Sequence, residues 1–156
     1  LNKVAVLDVD FHHGNGTQAI FYNRSDVLFL SLHGDPMHAF PHFLGHADEV
    51  GYSEGEGFNF NYPMPAGTTF STWNKSLELA LQQISKFGAD ALIVSLGVDT
   101  FEKDPISFFK LASDDFIKMG ARVASLKLPT LFVMEGGYAV EEIGINTVNV
   151  LMGFEA

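Results

Sequence analysis

Val4-Ala5-Val6-Leu7-Asp8-Val9-Asp10-Phe11-His12-His13-Gly14-Asn15-Gly16-Thr17 runs from a short apolar, β-branched segment into two carboxylates, two imidazoles and a pair of glycines. A strand is expected near Val4–Asp10, its apolar part buried. Side chains on a strand alternate between faces, so Asp8, Asp10 and His12 are expected together, with Val9 and Phe11 pointing away. His13 then falls on the face opposite His12. Gly14 and Gly16 break the strand into a turn. Carboxylates and an imidazole at a strand's carboxyl end suit a divalent ion of borderline softness, zinc above all.

Outward from this stretch the pattern repeats. Val27–Leu32, Ala91–Leu96 and Thr130–Met134 are further short apolar runs, each read as a buried strand. Phe58–Tyr62 alternates apolar and polar residues, as an edge or half-exposed strand does. Helices are expected near Thr17–Tyr22, Ser71–Phe87, Asp114–Leu126 and Glu141–Met152. The second carries Leu77, Ala80, Leu81 and Ile84 at helical spacing, and the third has Ser113 in front as an N-cap. Between His33 and Gly57 lies a long loop. Strands alternating with helices make this an α/β chain, a mostly parallel sheet flanked by helices and covered on both faces. No repeat or linker divides residues 1–156, so one domain is expected.

Ligands of open parallel sheets bind beyond the carboxyl ends of the strands. Three of the expected strands end in Asp10-Phe11-His12, Gly97-Val98-Asp99 and Glu135-Gly136-Gly137-Tyr138, which should converge on one rim. Asp10, His12 and Asp99 would then form an Asp₂His set with metal positions left open for water and substrate, the mark of a catalytic rather than a structural zinc. Gly136 and Gly137 let the backbone pass close to a ligand. Tyr138 behind them either donates a hydrogen bond to a developing oxyanion or packs as an aromatic at a turn. Asp8 serves either a second cation or a hydrogen-bonded structural role. Ser31 and Leu32, ending the neighbouring strand, offer a hydroxyl and carbonyls to a monovalent ion. His38, His42 and His46 are spaced four apart, yet Pro36, Pro41 and Gly45 interrupt them, so they read as loop residues. Phe40 and His42 either line an entry channel or pack within the loop.

With no cysteine in the sequence, any metal must sit on His, Asp or Glu. This fits a cytoplasmic enzyme. Nine basic residues against 19 acidic ones give a net charge of -10, which argues against a nucleic-acid surface and leaves room for small cationic substrates. No apolar stretch approaches the length of a membrane span. Neither a Gly-x-Ser-x-Gly elbow nor a phosphate-binding glycine loop is present.

Taken together, Asp8 to Gln18, Leu30-Ser31-Leu32-His33, Gly97-Val98-Asp99, Asp104-Pro105 and Glu135-Gly136-Gly137-Tyr138 resemble the zinc-dependent deacetylases of the arginase–deacetylase fold. These include class II histone deacetylases and bacterial acetylpolyamine amidohydrolases. The wording around Leu32–Pro36, Pro41–Gly45 and Leu96–Phe101 is more similar to the acetylpolyamine branch. The resemblance implies hydrolysis of an N-acetyl amide to acetate and an amine, with acetylpolyamines or acetyl-lysine as substrate. It implies one zinc on Asp10, His12 and Asp99, Tyr138 at the transition state, and Phe40 as an aromatic wall of the acyl tunnel. It further implies potassium at Asp8, Asp10, Ser31 and the carbonyls of His12 and Leu32, and a second monovalent site facing Phe21, Arg24, Val27 and Phe58.

The family also carries a second pair of adjacent histidines ahead of the zinc strand, and His12-His13 does not replace it. The chain, opening on Leu1 almost directly into that strand, is therefore expected to be the carboxyl-terminal half of such a domain. On its own it should bind zinc, turn over weakly if at all, and self-associate through an exposed apolar edge. Two other readings compete. One is a binuclear manganese ureohydrolase of the arginase kind, which needs a second aspartate-rich turn. The other is a non-catalytic module that recognises acylated amines.

Overall fold

Val4–Asp8 forms β1, the middle strand of the sheet, in a computed structural model that describes residues 1–156. Its alternation divides the core in two. Ala5 and Leu7 join a main core of 27 buried residues, whereas Val6 meets Val27 and Phe29 on the other face. After β1 come α1 (Asn15–Phe21), β2 (Val27–Gly34), β3 (Asn59–Met64) and α2 (Phe70–Phe87). β4 (Ala91–Leu96), α3 (Ser113–Ala124), β5 (Thr130–Met134) and α4 (Ile143–Glu155) complete the chain. The five strands lie in the order β3-β2-β1-β4-β5, and every pair is parallel. The expected α/β architecture is therefore present. No helix is long and apolar enough to cross a membrane.

α2 follows its apolar stripe, burying Trp73, Leu77, Ala80, Leu81, Ile84 and Phe87 against the main core. Each large side chain so buried contributes roughly 1.5–3 kcal/mol. Gly88, left-handed at φ 70°, takes the orphan carbonyls of Ile84 and Ser85 and ends the helix. α3 and α4 pack on the same face as α2, leaving the second face to α1 alone.

Several expectations are corrected. β1 stops at Asp8 rather than Asp10, because the Asp10 N–H turns to the Asp8 carboxylate (3.0 Å) instead of the ladder. β3 is an edge strand as expected, but it runs from Asn59 to Met64; Phe60 and Tyr62 pack partly buried on the main core, and Asn59 and Asn61 are buried on the other face. Gln18 explains the buried asparagines, since its side-chain carbonyl accepts both of their amides at 3.0 and 2.8 Å. Pro63 is tolerated because β3 is an edge strand. Ser113 is the first helical residue of α3, not its cap. Ala112 stands at the N-cap, and its N–H donates to Asp115 (2.9 Å). α4 begins at Ile143 and runs to Glu155, later than expected at both ends. Finally, the second face of the sheet is only partly covered, by α1. Ile93 is half-buried, and Leu131 and Val133 of edge strand β5 are 60% and 39% exposed.

Candidate metal centre and cleft

All strands being parallel, the carboxyl ends of β1, β4 and β5 open onto one rim, and the three expected turns meet there. His12 Nδ1 stands 3.2 Å from Asp10 Oδ1 and 2.9 Å from Asp99 Oδ2. One ligand atom from each of these three residues lies within 4.8 Å of the others, and no other group of three His, Asp or Glu side chains gathers in this way. Backbone donors hold both carboxylates. Phe11 N–H donates to Asp99 Oδ1 (2.8 Å), His12 N–H to Asp10 Oδ1 (2.7 Å) and Gly136 N–H to Asp10 Oδ2 (2.8 Å). Each acid is thus oriented with one oxygen against the imidazole, and at Asp10 that oxygen also accepts the His12 N–H.

Glycine is required on two sides of this cradle. A Cβ at Gly97 would lie 2.3 Å from Asp10 Oδ2, and one at Gly136 would lie 2.5 Å from the same oxygen and 2.6 Å from Asp99 Oδ2. These residues fit a small divalent cation: two oxygens and a nitrogen converge, and the backbone withdraws to let them do so.

Electrostatics in the trio are opposed. Burial disfavours charge on His12, but its hydrogen bonds to Asp10 and Asp99 outweigh that and raise its pKa to about 9. A proton on Nδ1 between two carboxylates is the arrangement a cation would replace. Burial pushes Asp99 up to about 6 against the pull of His12. Burial raises Asp10 too, yet hydrogen bonds from the His12 ring, His12 N–H and Gly136 N–H bring it below the usual carboxylate range. Asp8 is pushed well up, first by burial and then by the charge of Asp10.

Above the trio is a cleft of about 820 Å³, bordered by His12, Phe40, Ile106, Phe108, Glu135 and Tyr138 among others. The Tyr138 and Phe40 rings both stand near the His12 ring, their centroids 6.5 and 6.4 Å from it. Burial and then the charges of Asp10, Asp99 and Asp104 raise the Tyr138 phenol, keeping its proton in place as a donor. Asp104 fixes that tyrosine from behind, accepting the Tyr138 N–H at 2.8 Å and the Ile106 N–H at 3.0 Å. Gly137 bends beside it at φ 153°. Glu135 reaches the cleft with the strand-end turn that was expected there, but the positioning role of Asp104 and the walls Ile106, Phe108 and Met134 were not read from the sequence. Met134 is the last residue of the strand that leads into that turn; the loop residues carry no such signal.

The other expected residues are placed as follows. Asp8, Asp10 and His12 border a second, wholly polar cavity of about 240 Å³. Asp8 and Ser31 are register partners on β1 and β2, and Leu32 is fully buried. However, the Ser31 hydroxyl is engaged with His33 Nδ1 (2.8 Å), and Asp8 holds the Asp10 N–H. Phe21 and Arg24 share one turn, the Phe21 carbonyl accepting the Arg24 N–H, while the guanidinium faces outward onto Asp26. Val27 is buried in the sheet, and the Phe58 carbonyl accepts the Phe29 N–H at 3.0 Å. His13 faces away from the trio as expected, its ring against His33 and bonded to Gln18. His38 reaches the cleft, whereas His42 and His46 border a separate surface hollow with Phe43.

Comparison with known proteins agrees with this geometry. Residues 1–153 match the histone deacetylase domain family. Acetylpolyamine amidohydrolase 2 of Pseudomonas aeruginosa is 64% identical over 153 residues, 98% of this chain and 44% of that protein. The acetylpolyamine amidohydrolase of Mycoplana ramosa is 62% identical over 97% of this chain and 44% of its own length. The crystal structure of the Burkholderia pseudomallei acetylpolyamine aminohydrolase superposes with a TM-score of 0.97 at 43% identity, covering 99% of this chain and 45% of that one. The chain thus spans less than half the length of these relatives. Across nearly all of its own length, in sequence and in three dimensions, it belongs to the histone deacetylase domain family.

Proposed function

We propose that this chain carries the metal-binding side of a zinc-dependent amidohydrolase that removes acetyl groups from small cationic amines, acetylpolyamines in the first place and acetyl-lysine in the second. One observation carries the reading: Asp10, His12 and Asp99 bring ligand atoms within 4.8 Å of one another at the base of a cleft that also holds Tyr138. Zinc held by these residues would supply Lewis acidity toward the amide carbonyl and lower the pKa of water. Tyr138 O–H donates a hydrogen bond where negative charge develops on the carbonyl oxygen. Phe11 and Gly136 N–H groups keep the two carboxylates from turning away, and Phe40 and Phe108 offer apolar walls to an aliphatic chain. The net charge of -10 favours a cationic amine over an anionic substrate.

A potassium ion near Asp8, Ser31 and Leu32 belongs to the same reading, resting on backbone carbonyls because the Ser31 hydroxyl already serves His33. A single metal is favoured over a manganese pair, since only one ligand trio gathers. Exposed Leu131 and Val133 on β5, with Ile145 and Val148 on α4, support self-association of the isolated chain. Light scattering that finds only monomer removes that part.

The test is acetate release from an N-acetylated diamine by zinc-loaded protein expressed from the complete reading frame, with metal content measured on the same sample. One zinc per chain with turnover supports the reading. Two manganese ions point to the ureohydrolase alternative. Tight binding of the acetylated amine without acetate makes the protein a binding module.

A further inference from the structure

The loop from Asp35 to Glu49 forms one wall of the cleft, and its middle is held only by bonds within the loop, from the His42 N–H to the Ala39 carbonyl, the Leu44 N–H to the His42 carbonyl and the His42 ring to the Pro36 carbonyl. Phe40 is 67% exposed and Phe43 89%, with His42 and Leu44 exposed between and beside them. Such a segment stands wherever its two ends are held. One end is Ala39, buried at 3% and packed in the main core. The other is Gly45, and it is held by polar groups alone.

Glu49 accepts the Gly45 N–H at 3.0 Å and the His46 N–H at 3.1 Å. Its other bond comes from the Gln18 amide, Nε2 to Oε2 at 2.5 Å. The Gln18 carbonyl oxygen in turn meets His13 Nε2 at 3.0 Å, beside the amides of Asn59 and Asn61. His13 directly follows His12 of the metal trio. An unbroken hydrogen-bonded chain therefore leads from the residue next to a metal ligand, through helix α1, to the base of the substrate wall. Gln18 is 6% exposed, so its bonds to His13, Asn59 and Asn61 are shielded from bulk water, while Glu49 is half-buried.

We propose that Gln18 and Glu49 are positioning residues that set the distance between the Phe40 wall and the metal trio, and so the affinity of the cleft for its acylated amine. The proposal rests on the functional reading above. Neither residue touches substrate. The wall contacts a substrate chain equally before and during reaction, so loosening it weakens binding without slowing the chemical step.

The experiment compares wild type with Glu49→Gln in the zinc-loaded protein from the complete reading frame. Glutamine keeps the shape, but it offers one acceptor where three donors converge and adds a donor of its own. KM for an N-acetylated diamine is expected to rise about tenfold, the scale of one apolar contact, with kcat within about twofold. Zinc affinity should stay within about twofold, and the Gly45 and His46 amides should exchange hydrogen faster. An unchanged KM overturns the proposal even if exchange accelerates, because the clamp would then hold the loop without setting the wall. A fall in kcat at constant KM overturns it as well. If Glu49→Gln does not fold, Glu49→Asp, which keeps the charge and shortens the reach, is judged on the same readouts. Should wild type release no acetate from any acetylated amine, the functional reading fails separately. The clamp is then decided by hydrogen exchange over residues 40–44 in the variant, faster supporting it and unchanged overturning it.

Discussion

His12 and His13 are neighbours in sequence and opposites in environment. His12 lies at the open rim between two carboxylates, which raise its pKa to about 9. His13 is buried beside His33, and burial lowers it below the ordinary imidazole value. One side of this turn is built to hold a positive charge. The other is a buried polar knot in which the imidazoles, lowered by burial, bond to the Gln18 amide, the Ser31 hydroxyl and the Gly45 carbonyl. Composition alone does not distinguish the two residues; the face of the chain on which each emerges does.

The contrast is broken most directly at the rim. Asp99→Asn should lower zinc affinity by about 3–4 kcal/mol, on the order of 10²–10³-fold, taking one ligand's share of a typical zinc site. Competition with a chromophoric chelator measures it. An affinity unchanged by Asp99→Asn would mean the metal lies elsewhere and the rim is only a polar turn.

The knot predicts a pH dependence of its own. His33 is fully buried between the Ser31 hydroxyl and the Gly45 carbonyl, and burial lowers its pKa to about 4. Between pH 6.5 and 4 the unfolded chain takes up a proton here that the folded chain refuses. This site's share of stability is therefore complete above pH 6.5 and is lost as pH falls toward 4, by about 3 kcal/mol in all. Asp8 and Asp99, whose values are raised, run the other way over the same range. The measurement is accordingly a difference: chemical denaturation of wild type against His33→Gln at several pH values. The variant should be the less stable at neutral pH, with the gap closing by about that amount toward pH 4. A constant gap would put His33 in contact with water and dissolve the contrast with the rim.

Gly136→Ala tests whether the rim depends on backbone as much as on ligands. Its Cβ would fall 2.5 and 2.6 Å from oxygens of Asp10 and Asp99, so both acids must shift. Zinc affinity is expected to fall roughly 10–100-fold, as for loss of a ligand-orienting group. Equal affinity in calorimetric titration would show that the cradle relaxes freely.

The rim was far more legible in sequence than the knot. β4 and β5 match the expected Ala91–Leu96 and Thr130–Met134 to the residue, because each is a short, largely apolar run bounded by turn residues. The gathering of Asp10, His12 and Asp99 followed from two such strands ending in acidic or imidazole turns. What failed depended on partners distant in the chain. Asn59 and Asn61 are buried only because Gln18, 41 and 43 positions earlier, receives their amides. Nothing local marks Glu49 as the residue that ties down Gly45. Ile106 and Phe108 are ordinary loop hydrophobics until the sheet brings them to the cleft. The helical start at Ser113 was missed by one position, because the Asp115 carboxylate caps the helix from inside.

That last miss supplies a control for the whole comparison. Ala112 occupies the N-cap of α3 with extended backbone (φ -86°, ψ 162°) and no side-chain hydrogen bond, and it is exposed. Serine there adds an acceptor for an unsatisfied N–H of the first turn, worth typically about 1 kcal/mol. Ala112→Ser should raise the free energy of unfolding, measured by chemical denaturation, by that amount without moving zinc affinity, since α3 contributes no residue to the trio. If zinc affinity rises with stability in this variant, then losses at the rim or in the knot could equally be global. The division of labour between His12 and His13 would then need to be drawn from structure alone.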